Sequence, residues 1–264
     1  LLYAASPLHN EENDLTKWEA AASAANDLLL ADTLNYSLDP SYASYFTGEN
    51  PLKSSETIYA VRRSKSNSME KSNYPIATQG GKSGATPTHN LVAAYEYVGT
   101  PDPSNPYANR DPRLAQSFRT IGYTRIDGND VLAPDLSSCC TGYQTIKWVM
   151  SAKANGGDSD RVDRSTSDLP VYRFGEILLI YAEAKAELGQ LTQEDLNASI
   201  NLLRKRVGMP SLTMDVTVDP YLTNPSTGYT NPKLLASDQL ALILEVRRER
   251  AIELAQEGNN RWYD

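Results

Sequence analysis

Two apolar stripes with helical spacing, separated by only a few residues, dominate the chain between Pro170 and Pro210. Val171, Phe174, Leu178, Tyr181, Ala184 and Leu188 recur at three- and four-residue steps and stop at Gly189. Thr192 with Asp195 then makes a capping-box-like start, and Leu196, Ile200, Leu203 and Val207 carry the next face to Gly208 and Pro210. A link this short folds the two helices back as an antiparallel hairpin. Such a hairpin buries one face only, so it needs further helices to stack on. The chain offers two. One is capped by Asn13 or Asp14 and runs to about Leu30, with Leu15, Trp18, Ala22, Ala25 and Leu29 in line. The other runs from near Ser237 to about Glu257, with Leu240, Leu244, Ala251 and Leu254 inward and Gly258 as its stop.

Between these helical ends the pattern dissolves. From about Thr33 to Arg164 the chain is rich in Ser, Asn, Gly, Pro and Tyr, punctuated by Gly80-Gly81, Pro101-Asp102-Pro103 and Asn155-Gly156-Gly157. A short helix is expected at His89–Tyr97 and a strand at Thr145–Met150. The organisation predicted is a helical scaffold at 1–32, a loop-rich region at 33–168 and a second helical scaffold at 169–264.

With 40% hydrophobic and 22% charged residues, the chain can bury a core, and no run of 18 apolar residues suits a bilayer. A net charge of −8 with no basic stripe argues against nucleic acid as a partner. The 16 tyrosines, against 3 Phe and 3 Trp, make the aromatic composition lopsided. Tyr suits half-wet surfaces, and Tyr42, Tyr45, Tyr59, Tyr74, Tyr107, Tyr123 and Tyr143 all fall in irregular segments. The adjacent Cys139 and Cys140 lack metal or redox spacing. They read as reduced thiols, or as a strained vicinal disulfide. The chain opens within an apolar stretch without initiator Met or signal segment, and reads as a piece of something longer.

Catalytic patterns fail one by one. His9 and His89 are the only histidines, and neither stands in triad or zinc spacing; both read as surface or capping residues. Gly81-Lys82-Ser83 lacks the earlier Gly of a phosphate-binding loop, Ile76 standing there, and Ala85 spoils a nucleophile elbow. Glu245, Glu249, Glu253 and Glu257, with Arg247, Arg248 and Arg250, read as a solvated or interhelical ion-pair face rather than a glycosidase pair. Asp127-Gly128-Asn129-Asp130 and Asp158-Ser159-Asp160 read as plain turns, with Ca²⁺ the lesser alternative and no other cofactor expected.

Several strings resemble the SusD/RagB family of outer-membrane nutrient-binding lipoproteins. They are LLYAASPLHN (1–10) with LTKWEAAASAANDLL (15–29), TPTHNLVAAYE (86–96), NRDPRLAQSF (109–118) and CTGYQTIKW (140–148). Towards the end come LPVYRFGEILLIYAEAKAELG (169–189), NLLRKRVGMP (201–210) and RRERAIELAQEGNNRWYD (247–264). They occur in family order over nearly the whole chain. The family's lipidated N-terminal Cys, its first helical part and residues after Asp264 are not among these strings, so membrane anchoring is expected of a longer parent protein.

The resemblance implies a mainly α fold, tetratricopeptide-like helical hairpins carrying a large loop-rich region with few short strands. It implies non-catalytic capture of oligosaccharides at the outer membrane for delivery to a SusC-like TonB-dependent transporter. It makes Arg173, Glu176, Glu183, Arg250, Glu253, Arg261 and Trp262 structural. The sugar-contacting residues expected from ring chemistry are Tyr59 and Tyr74 first, then Tyr42, Tyr45 and Trp148, because sugar C–H faces stack on aromatic planes. The rival reading is a helical interaction scaffold for the transporter with no sugar site of its own.

Overall fold

The computed structural model describes residues 1–6, 9, 14–31, 34–47, 50–62, 87–132, 141–153, 167–223 and 238–257. In chain order these hold helices α1 (Leu2–Ala5), α2 (Leu15–Leu29), α3 (Tyr42–Tyr45) and α4 (Asn50–Lys53), then strand β1 (Thr57–Val61). Helices α5 (His89–Ala94) and α6 (Arg113–Ser117) follow, then strands β2 (Tyr123–Thr124), β3 (Val131–Leu132) and β4 (Leu169–Arg173). The chain continues through α7 (Phe174–Glu187), α8 (Gln193–Ala198), α9 (Ile200–Arg206), α10 (Pro220–Thr223) and α11 (Leu240–Glu253). The fold is mainly helical, as expected. It divides into two compact units, Leu1–Asn35 with Phe174–Asp264, and Tyr36–Arg173.

In the helical unit, α2 begins where Asp14 accepts hydrogen bonds from Thr16 N (3.0 Å) and Thr16 Oγ1 (2.8 Å). Its buried face is Trp18, Ala21, Ala22 and Ala25, and small side chains of this kind let a second backbone approach closely. That neighbour is α7, whose Ala184 joins Trp18, Ala21 and Ala22 in one cluster. A larger core joins Ala182 and Ala186 of α7 to Leu196, Ile200, Leu242, Ile243, Leu244 and Val246. Gly189 (φ +68°) and Gly208 (φ +76°) sit in the left-handed conformation that follows a helix end, so both predicted stops hold.

Three expectations need correction. Val171 lies on β4, not on the helix, which begins only at Phe174. The second helix of the hairpin is broken at Ser199 (φ −133°, ψ −96°) into α8 and α9. There the Ser199 hydroxyl donates to Asp195 O, a side-chain bond that competes with helix propagation. The strand expected at Thr145–Met150 is absent: Thr145 alone bridges, to Phe118, and the chain then turns, with Val149 N bonded to Ile146 O at 3.0 Å. Ile146, Trp148, Val149 and Met150 are all buried, so this run packs as core without a strand's alternation.

Helix α11 departs from a one-sided amphipathic helix. Leu244 and Leu254 are inward as predicted, Leu240 and Ala251 only half so, and Glu245, Arg248, Glu249, Arg250 and Glu253 are buried too. The ion pairs run between elements: Arg204–Glu249 at 3.2 Å, Arg247–Glu187 at 2.5 Å, Arg250–Glu176 at 3.6 Å, and Arg206 with Glu253. Glu183 lies 3.7 Å from both Arg247 and Arg250. The interhelical alternative therefore replaces the solvated one. Charges this deep persist because each is paired, and their geometry fixes the register of the helices they join. Arg261 and Trp262 lie outside the described residues.

The capping box supplies a pH-dependent increment of stability. Thr192 N and Oγ1 donate to Asp195 Oδ2 at 2.9 and 2.8 Å, and Tyr181 donates to Asp195 Oδ1 at 2.5 Å. Burial pushes the Asp195 carboxyl upward, but hydrogen bonds from Tyr181 and Thr192, with Lys185 nearby, outweigh it and the net shift is downward. Burial, then the bond to Asp195, pushes the Tyr181 hydroxyl up to about 12. A carboxylate with a depressed pKa stabilises fully above its unfolded value and loses that contribution as pH falls through the folded one. Asp195→Asn is therefore expected to cost about 1 kcal/mol near neutrality, with the difference from wild type closing below about pH 4. Melting temperature against pH for the two proteins checks this.

Among the described residues the second unit carries two small antiparallel sheets, β1–β4 and β2–β3. Its Asp-Pro-Arg string forms a fully buried pair, Arg113 to Asp111 at 2.7 Å, with Arg113 N also bonded to Asp111 Oδ1. Immediately before that string, Arg110 donates to Tyr95 O, Val92 O and Pro106 O, and lies 4.4 Å over the Tyr97 ring. With the Tyr97–Arg110 bridge, this guanidinium closes the loop from 97 to 110 against the end of α5.

Candidate functional site

Three of the five predicted sugar contacts are core residues. Tyr42, Tyr45 and Trp148 are 2%, 1% and 1% exposed. They surround Phe46, with ring centroids at 5.5, 4.8 and 5.1 Å and steep interplanar angles. The hydroxyls that suggested a wet surface are satisfied inside: Tyr45 Oη with Thr57 Oγ1 at 2.8 Å, and Tyr42 Oη with Ser117 Oγ at 3.4 Å. Lys147, itself buried, lies over the Tyr42 and Phe46 rings, and Arg173 over Tyr45 and Phe46. None of the three offers a face to a sugar, and they are withdrawn as ligand contacts. Tyr74 lies outside the described residues, as do Cys139, Cys140 and Asp158–Asp160.

Tyr59 is different. It stands on β1, 55% exposed, and its cross-strand partner on β4 is Tyr172, 56% exposed. The register slips on either side of this pair, since Thr57 faces Arg173 and Ala60 faces Pro170. Ile58 and Val171 are the residues left over. Such irregularities re-aim side chains, and they explain why Val171 and Tyr172, consecutive on β4, are both exposed. Directly paired residues project from one face with Cβ atoms roughly 5 Å apart. Neither tyrosine hydroxyl has a partner among the described residues. Val61 and Val171, also exposed, lie on the same two strands. The residue pattern points to Tyr59 but not to Tyr172, whose neighbour Val171 falls in an apparent helical stripe. Only the pairing of two segments more than a hundred residues apart shows that the two belong together.

The same unit gathers a second set of rings. His89 Nδ1 and the Tyr143 hydroxyl are hydrogen-bonded at 3.1 Å, their rings stacked at 6.2 Å. Tyr107 meets Tyr143 edge-on at 6.4 Å. Among the described residues no three His, Cys, Asp or Glu side chains converge as metal ligands would, and no helix is long and apolar enough to cross a membrane.

A family model described as the SusD family matches residues 51–264, well over half the chain. The chain belongs to the SusD family. Among solved structures, one similar to this SusD-family chain is a SusD-like carbohydrate-binding protein from Bacteroides fragilis, 26% identical, TM-score 0.66, covering 94% of this chain and 48% of its own. A SusD superfamily protein from Parabacteroides distasonis (20% identity, TM-score 0.61) is covered over 49% of its length and covers 100% of this chain. Surface glycan-binding protein A from Bacteroides uniformis (18%, TM-score 0.56) covers 96% of this chain and is covered over 45%. At these lower identities the likeness shows the fold alone. The chain thus spans about half the length of the structures it matches. Comparison with curated protein sequences gives no match.

Proposed function

We propose that this SusD-family chain is part of a non-catalytic, surface-exposed outer-membrane lipoprotein that binds oligosaccharides and hands them to a TonB-dependent transporter. The observation that carries the binding reading is the Tyr59–Tyr172 pair: two exposed rings, side by side, whose hydroxyls have no partner among the described residues. Sugar C–H faces stack on such rings, and hydroxyls at the ring edge accept and donate to the sugar. Family membership, and the carbohydrate-binding description of the 26%-identical relative, support the ligand class. The transporter and the lipid anchor rest on the family resemblance. The ion-paired acidic residues belong to the scaffold, and no catalytic carboxylate pair is invoked.

Affinity electrophoresis through gels containing glycogen, xylan, galactomannan or polygalacturonan tests the proposal. Retardation in at least one gel is expected, and it should weaken in Tyr59→Ala and Tyr172→Ala while melting temperature stays put. Unretarded migration in every gel would leave the scaffold reading in its place.

A further inference from the structure

We propose that His89, Tyr107 and Tyr143 form a second carbohydrate contact, separate from the strand pair and suited to neutral sugars. The inference rests on the glycan-binding reading and adds a site to it. The three side chains come from three separate stretches: the first residue of α5, the closed loop 97–110, and the turn at 141–144. Each stretch is held by its own local bonds. Thr88 Oγ1 accepts from Leu91 N at the start of α5, Asn105 Oδ1 accepts from Tyr107 N, and Thr141 Oγ1 accepts from Tyr143 N. The loop is further closed by Val98 N to Asn109 O at 2.6 Å and Asp111 N to Glu96 O at 2.7 Å.

The result is a ledge of rings on braced backbone, with His89 exposed and Tyr107 and Tyr143 half-buried. Rings that served only as packing would sink, as Tyr42 and Tyr45 do around Phe46. Here the stack stays at the surface, 6.2 Å from His89 to Tyr143 and 6.4 Å from Tyr143 to Tyr107. Among the described residues only Nδ1 of His89 is hydrogen-bonded, and the Nε2 edge can meet a sugar hydroxyl beside the aromatic face. Ring faces flanked by a polar edge are what a pyranose requires.

The class of sugar follows from the charges. Arg110, the arginine on the same loop as Tyr107, has its guanidinium occupied by three backbone oxygens and the Tyr97 ring. It is not aimed at a ligand carboxylate. The chain's net charge of −8 also opposes an acidic polymer. Neutral glycans are therefore the expected ligands of this ledge.

The test uses the whole chain in gels of glycogen, xylan, galactomannan and polygalacturonan, with His89→Ala, Tyr143→Phe and Tyr143→Ala compared with wild type. His89 is exposed, so its truncation leaves the fold intact, and Tyr143→Phe keeps the ring while removing the bond to His89. Retardation in the neutral gels is expected to fall about threefold or more in His89→Ala and Tyr143→Ala, and less in Tyr143→Phe, at unchanged melting temperature of His89→Ala. Wild type retarded in neutral gels, with His89→Ala and Tyr143→Ala retarded equally, overturns the second contact but leaves the Tyr59–Tyr172 reading standing. Wild type unretarded everywhere overturns both. A loss seen only in polygalacturonan overturns the choice of neutral sugars.

Discussion

Glu56→Ala is expected to destabilise the loop-rich unit by about 3–5 kcal/mol, because it removes a buried carboxylate ion-paired with a buried guanidinium. Glu56 and Arg173 are 0% and 2% exposed in their side chains, and Arg173 Nη1 donates to Glu56 Oε1 at 2.6 Å. Glu56 also accepts from Asp39 N at 2.7 Å, so one carboxylate serves both the strand pair and the chain leading into α3. The double variant Glu56→Leu/Arg173→Met should recover most of the loss, since two apolar groups need no counter-charge. Urea titrations followed by circular dichroism measure both. A single variant as stable as wild type would show that the pair does not hold β1 to β4.

Trp148→Ala is expected to cost about 3–5 kcal/mol, the range for emptying a large buried aromatic site. The indole is almost wholly enclosed and packs on Phe46 at 5.1 Å, so its removal opens the centre of the aromatic core. The same experiment separates core from site. Trp148→Ala should lower the melting temperature, whereas Tyr59→Ala, at a ring more than half exposed, should not. A Trp148→Ala protein with wild-type stability would contradict the placement of that ring.

What could be read from the residues, and what could not, follows from the range of the interactions concerned. Helices α2 and α7, the hairpin and its glycine stops are written locally, in three- and four-residue steps and in caps such as Asp14 and Thr192. Strand β4 is not. Leu169–Arg173 becomes a strand because it pairs with Thr57–Val61, and the Arg173–Glu56 bond spans 117 residues. Tyrosine burial is illegible for the same reason. Tyr42 and Tyr45 look like surface residues until Ser117, 75 residues away, and Thr57, 12 away, supply partners for their hydroxyls. The ion-pair pattern of α11 was visible, but whether it faced solvent or other helices depended on where Arg204, Arg206 and Glu183 lie in space. Tyr59 was found by residue type alone. Its partner Tyr172, and the meeting of His89 with Tyr143, needed the fold.

The claim on which the functional account stands is that exposed rings, not the buried ones, hold the sugar. Isothermal titration of a retained glycan into wild type and Tyr59→Ala/Tyr172→Ala measures it directly. Two lost stacking contacts of about 0.5–1.5 kcal/mol each predict a loss of affinity of roughly five- to a hundredfold, with the melting temperature of the double variant unchanged. A double variant that binds the glycan as tightly as wild type would contradict the account.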